Sequence, residues 1–189
     1  LILIVVSCLV TGQTIAQKSN NEIPKKDLTL DAIWNGYFDE RNLRVHLLNN
    51  SDSFAIIYND PQSGEQQIKV ASFAFTRIFE TIFSNQVRAQ KDSLPVTFTY
   101  FEDFAFSPND NFILIQSQVE KLFYTSTKEF NYIWNRATKT LKPVSADGKQ
   151  SYVSFSPDNR RIAYIREGNL YIKDLQNDQV TAITSDGSP

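Results

Sequence analysis

One histidine and one cysteine limit the chemistry open to this chain. His46 stands in Arg44-Val45-His46-Leu47-Leu48, a run that reads as a strand. A Ser-His-Asp triad needs a histidine to carry the proton, and a strand histidine far from any nucleophile motif reads as a structural or exposed residue. Cys8 lies in the apolar start of the chain and is expected to leave with it, so no Cys-His pair forms. Metal ligands would then have to be carboxylates, and these are scattered over turns such as Ser156-Pro157-Asp158-Asn159. No G-x-S-x-G elbow occurs, and six glycines build no phosphate loop. The expectation is no catalytic residue, no metal and no cofactor.

The elements that would carry any binding chemistry are clearest in Tyr152–Gly187. Four short apolar runs, Tyr152–Phe155, Arg161–Ile165, Leu170–Leu175 and Gln179–Thr184, are split by Ser156-Pro157-Asp158-Asn159, Glu167-Gly168-Asn169 and Gln176-Asn177-Asp178. Proline pre-sets φ for a type I turn, and Asp and Asn accept the rest of its geometry. Such runs read as an antiparallel meander the size of one propeller blade. The unit recurs. Phe104-Ala105-Phe106-Ser107-Pro108 and the apolar Phe112–Ile115 match Val153-Ser154-Phe155-Ser156-Pro157 and Arg161–Tyr164, with the two phenylalanines 49 apart (155 − 106). Tyr132-Ile133-Trp134-Asn135 matches Tyr171-Ile172-Lys173-Asp174 at an offset of 39 (171 − 132). The earlier copy is longer, which places an insertion at Ser117–Lys128, and insertions in a repeat map to one rim of the array.

These patterns predict an all-β fold, a partial β-propeller of about three four-stranded antiparallel blades, near Leu43–Phe83, Phe98–Val144 and Tyr152–Ile183. Strands apolar on both faces, as in Ile162-Ala163-Tyr164-Ile165, favour blades packed on blades over a one-sided sheet. An ordinary β-sandwich is the alternative. Propellers close with typically about 4–8 blades, so the chain is expected to be a fragment cut at both ends. Phe73–Ser93 reads as a strand end followed by a loop or short helix, with Ile78, Ile82 and Phe83 on a helical face. Leu28–Trp34 reads as a turn of helix or an extended segment whose Trp34 docks on the first blade.

Residues 1–16 read as an incomplete secretory signal, an apolar run and a small-residue site ending at Ala16. A lipoprotein box at Cys8 is the lesser reading. Residues 17–42 follow as linker and docking segment, and 43–189 as the propeller part. Secretion or a bacterial periplasm is the expected location, with no membrane association after cleavage. A net charge of −2 argues against nucleic acid or an anionic membrane surface as partner.

Three stretches carry a family resemblance: Leu28-Thr29-Leu30-Asp31-Ala32-Ile33-Trp34, Phe104–Pro108, and Phe155-Ser156-Pro157-Asp158 through Asn169–Leu175 to Val180–Thr184. In order and spacing the chain resembles the N-terminal propeller of dipeptidyl peptidase IV, of the prolyl oligopeptidase class, and most closely its bacterial members. The resemblance implies an exported serine peptidase, usually a homodimer, that removes dipeptides with proline second from free peptide N-termini. Its Ser, Asp and His would lie on a C-terminal α/β-hydrolase domain outside these residues, and its acidic pair for the substrate amine would lie beyond Pro189. The resemblance also implies a substrate-binding arginine inside this chain, in an aromatic-Arg-Arg/His-Ser pattern. The matching run is Phe123-Tyr124-Thr125-Ser126-Thr127-Lys128, where Ser126 agrees and Tyr124 and Thr125 replace the basic residues. A tyrosine hydroxyl donates one hydrogen bond and cannot act as a bidentate cation: Lys121 or Lys128 would substitute, or the parent is a diverged or pseudo-peptidase, and Tyr124 itself reads as a packed strand aromatic, with a substrate contact as the alternative. A periplasmic TolB-like propeller, a binding module without a hydrolase domain, shares the same hairpins and is the competing reading.

Overall fold

A computed structural model describes residues 29–34, 44–49, 51–74, 78–86, 100–124 and 126–188. The chain divides into two units, Leu1–Asn42 and Leu43–Pro189. In the first, the described residues form one short helix, α1 (Leu30–Trp34). Trp34 closes this helix and is 89% exposed. The proposed signal and most of the linker lie outside the described residues.

The second unit is a run of three four-stranded antiparallel meanders. Blade 1 comprises β1 (Val45–Leu47), β2 (Ser53–Asn59), β3 (Gln66–Ser72) and β4 (Ile78–Ser84). Blade 2 comprises β5 (Asp103–Phe106), β6 (Phe112–Lys121), β7 (Thr127–Asn135) and β8 (Thr140–Pro143). Blade 3 comprises β9 (Ser151–Phe155), β10 (Arg161–Arg166), β11 (Asn169–Asp174) and β12 (Val180–Ala182). In every blade the strands pair in chain order. The three do not close a ring.

Blade 2 shows why the strands are apolar on both faces. Ile113, Ile115, Tyr132 and Trp134 pack with Ala55, Ile68, Ile82 and Phe83 of blade 1. Leu114 and Ile133, which alternate with them, pack with Ile162 and Tyr164 of blade 3. Successive side chains of a strand point to opposite faces, so one sheet supplies two cores. A β-sandwich would bury only one face of each sheet; the fold is a partial propeller.

The Ser-Pro turns repeat down to single hydrogen bonds. Ser107 N–H donates to Phe112 O at 3.0 Å and Ser156 N–H to Arg161 O at 2.9 Å. The serine hydroxyls accept from Phe112 N–H at 3.0 Å and Arg161 N–H at 2.9 Å. Asp110 and Asn159 take the left-handed position, φ 59° and 60°, which Asp and Asn tolerate best among residues with a Cβ. These turns also join the blades. Asn49 donates its N–H and its side-chain amide to Asp110 Oδ1, both at 3.0 Å, and Asn109 N–H donates to Asn159 Oδ1 at 2.9 Å.

The region expected to be a loop or short helix holds β4 instead. Its register slips between Ile68 and Lys69, with Ile68 opposite Phe83 and Lys69 opposite Thr81. Ile82 is the extra residue of the bulge, so Ile82 and Phe83, adjacent in sequence, are both buried. Two neighbouring buried residues imitate a helical face.

Blades 1 and 2 meet in a charged clasp. Asp103 of β5 lies 3.2 Å from Arg44 and 2.9 Å from His46 Nε2. The His46 ring rests on Phe104, centroids 4.1 Å apart. Burial works against the Asp103 carboxylate, but His46, the Phe104 N–H and Arg44 together hold its pKa below the ordinary value. The sign follows: this contribution is present above the unfolded carboxylate pKa near ~3.9 and is lost as pH falls through the depressed folded value. Between about pH 5 and 2 the wild-type melting temperature is therefore expected to fall more steeply than that of Asp103→Asn. Parallel melting curves across that range would remove the clasp from the account.

Candidate functional site

β6 and β7 run past the blade and form a protruding arm. The insertion expected at Ser117–Lys128 is thus a lengthened hairpin, with a bulge between Ser117 and Glu120 and Gln118 at φ 54°. Beyond the bulge the arm leaves the core: Val119 and Leu122 are exposed, Phe123 is 74% and Tyr124 93% exposed. Leu122 N–H donates to Ser126 O at 2.9 Å and closes the tip.

Four consecutive residues, the last two of the β8–β9 crossover and the first two of β9, hold the arm. Lys149 Nζ reaches Glu120 Oε2 at 3.3 Å. Gln150 exchanges backbone hydrogen bonds with Glu129, at 2.9 and 2.8 Å. Ser151 Oγ donates to Thr127 O at 2.6 Å. The Tyr152 hydroxyl lies 2.9 Å from Ser126 Oγ. Tyr152 has φ 53° and is exposed, a strained backbone held where β9 slips register against β10. Beneath the ladder, Asn131 donates its N–H and its side-chain amide to Gln150 Oε1, at 3.1 and 3.3 Å.

A cleft of about 770 Å³ opens between the arm and blade 3, within the size range of ligand sites. On the arm side, Glu120 is 3.1 Å from Lys128. Lys128 and then Lys149, by hydrogen bonds, hold the Glu120 carboxyl below its ordinary pKa. On the blade side, Arg166 donates to Ser145 Oγ at 2.8 Å and Asp147 Oδ2 at 2.9 Å, and lies 4.6 Å from the Tyr171 ring centre. Leu122, Phe130, Tyr152 and Ile165 supply apolar lining.

Of the residues singled out from sequence, Tyr124 sits at the arm tip with its ring edge-on to Phe123, centroids 5.1 Å apart. It is not a packed strand aromatic. Thr125 lies outside the described residues. Ser126 is committed to Tyr152, and Lys128 to Glu120. Lys121 is exposed at the end of β6. His46 is in the interblade clasp, apart from the cleft lining. Sequence reasoning missed Arg166 and Tyr152. The β9 bulge that holds Tyr152 carries no local signature, and Arg166 stands at the regular hairpin end of β10. Among the described residues no group of three or more His, Cys, Asp or Glu is placed to hold a metal, and no helix is long and apolar enough to cross a membrane.

Comparison with known proteins bears on this arm. Residues 107–189 match the dipeptidyl peptidase IV N-terminal region. The chain is 34% identical over 84 residues to a probable dipeptidyl-aminopeptidase B of Aspergillus niger, covering 43% of this chain and 9% of that protein. A probable dipeptidyl-aminopeptidase B of Talaromyces marneffei is 22% identical over 169 residues, 86% of this chain and 19% of that one. In fold, the chain superposes on a crystal structure of Porphyromonas gingivalis dipeptidyl peptidase 4 with a TM-score of 0.70 and 23% identity, over 87% of this chain and 22% of that one. The chain therefore spans under a quarter of the length of each of these proteins.

Proposed function

We propose, from the dipeptidyl peptidase IV N-terminal region carried by residues 107–189, that this chain serves an exported dipeptidyl aminopeptidase releasing N-terminal Xaa-Pro dipeptides. The observation that carries the reading is the arm. Phe123, Tyr124 and Ser126, which stand where the resemblance places the family's substrate-binding run but without its basic residues, lie at the tip of a hairpin whose Leu122 and Ser126 line a ligand-sized cleft. In this reading the propeller gates access and binds the peptide, while catalysis belongs to a C-terminal hydrolase domain. Export through residues 1–16 and homodimer formation are parts of the same proposal.

The arm also bounds how the propeller contributes. Tyr124 reaches outward on an exposed tip, so its hydroxyl is available to a substrate carbonyl. It supplies one neutral hydrogen bond where a guanidinium would supply two charge-assisted ones. Binding through the arm should accordingly be weak, and specificity should rest on other contacts. The TolB-like alternative predicts no hydrolysis at all. Labelling the full-length protein with a fluorophosphonate separates the two. The peptidase reading expects one labelled serine and loss of Xaa-Pro hydrolysis on labelling; a full-length protein that neither labels nor hydrolyses such a substrate would leave the binding-module reading.

A further inference from the structure

The cleft beside the arm is electrically two-sided. Its arm wall holds two lysines, Lys128 and Lys149, on the single carboxylate of Glu120, at 3.1 and 3.3 Å. That wall carries one surplus positive charge. Its blade wall holds Asp147 paired to Arg166 at 2.9 Å, and beside them Glu167, which has no ion-pair partner among the described residues. That wall carries one surplus negative charge. The backbone of Glu167 is set by the β10–β11 turn, which it forms with Gly168, both at positive φ (49° and 75°), the turn that suits a two-residue hairpin.

One cation on each wall is anchored by its neighbours. Lys149 belongs to the crossover ladder that holds the arm, and Arg166 is 16% exposed and stacked on Tyr171. Between the two walls lie the apolar side chains of Phe130 and Ile165.

We propose that this cleft binds a short peptide with both termini free, its carboxylate on Lys128 and Lys149 and its ammonium on Glu167. A zwitterion with a small apolar body matches two opposed surplus charges across an apolar floor; an anion or a cation alone would satisfy one wall and meet repulsion at the other. The proposal concerns a site made wholly by this chain and holds whether or not the full-length protein is a peptidase.

The test is titration calorimetry of the full-length protein, treated with phenylmethylsulfonyl fluoride so that no serine centre cleaves or binds the probe. The probes are Ala-Ala, Ala-Ala amide and N-acetyl-Ala-Ala. Removing either terminal charge is expected to weaken binding by about tenfold or more, the size of one charge-assisted hydrogen bond. Lys149→Met should weaken Ala-Ala by about tenfold and leave Ala-Ala amide within about twofold. Glu167→Gln should weaken Ala-Ala by about tenfold and leave N-acetyl-Ala-Ala within about twofold. Among the described residues Glu167 joins no ion pair, so this second variant keeps the fold if the first does not. Equal affinity for the three probes, no binding at about 10 mM, or variants that weaken all probes alike would each overturn the proposal.

Discussion

Trp134→Ala is expected to destabilise the propeller by about 3–5 kcal/mol, the usual cost of truncating a buried aromatic. Trp134 is 3% exposed. Its indole N–H donates across the blade boundary to Ile82 O at 3.0 Å, and its ring meets Phe83 edge-on, centroids 5.3 Å apart. Truncation therefore opens a cavity between blades 1 and 2 and leaves the Ile82 carbonyl buried without its donor. Trp134→Phe keeps most of the packing and removes the hydrogen bond, so about 1–3 kcal/mol should be lost. Trp34, at 89% exposure, is the internal control: its alanine variant should fall within about 0.5 kcal/mol of wild type. Urea denaturation at fixed m-value reads all three. A Trp134→Ala cost as small as that of Trp34→Ala would show that the blades do not share this core.

Tyr124→Arg is expected to raise kcat/KM of the full-length protein on an Xaa-Pro substrate by about 10-fold to 100-fold. The arm puts residue 124 at an exposed tip. A guanidinium there would replace one neutral hydrogen bond by a charge-assisted pair, a gain of about 1.5–3 kcal/mol. If the new contact is the same in ground and transition states, KM falls and kcat stays; if it tightens at the transition state, kcat rises. Tyr124→Phe is the companion variant. It removes the hydroxyl and should cost only about 1 kcal/mol. An arginine variant with unchanged kcat/KM would mean that residue 124 does not face the substrate.

Much of this fold was legible because its signals are local. The Ser107-Pro108 and Ser156-Pro157 turns declare themselves through residues whose own chemistry makes the turn: proline for φ, serine hydroxyl for the next strand's N–H, Asp110 and Asn159 for the left-handed step. The two-faced apolar pattern of blade 2 followed from packing blade on blade. β4 was hidden because a bulge puts Ile82 and Phe83 inward together, which breaks the alternation that marks a strand. The arm was visible only as extra length, since a hairpin extension and a loop insertion add residues alike. The ladder from Lys149 to Tyr152 was not visible at all. It pairs residues 21 to 29 apart, a number set by how the crossover passes the arm, and no local propensity encodes it. For the same reason Arg166 and Glu167 read as an ordinary strand end and turn, and the cleft they line emerges only once blade 3 is folded beside the arm.

The most direct measurement is mass spectrometry of peptides incubated with the full-length protein. A substrate beginning Gly-Pro with a free amine should lose that dipeptide in one step, and the same peptide with an acetylated N-terminus should remain intact. Removal of single residues, cleavage that ignores acetylation, or no cleavage of either peptide would contradict the reading of this chain as the propeller of a dipeptidyl aminopeptidase.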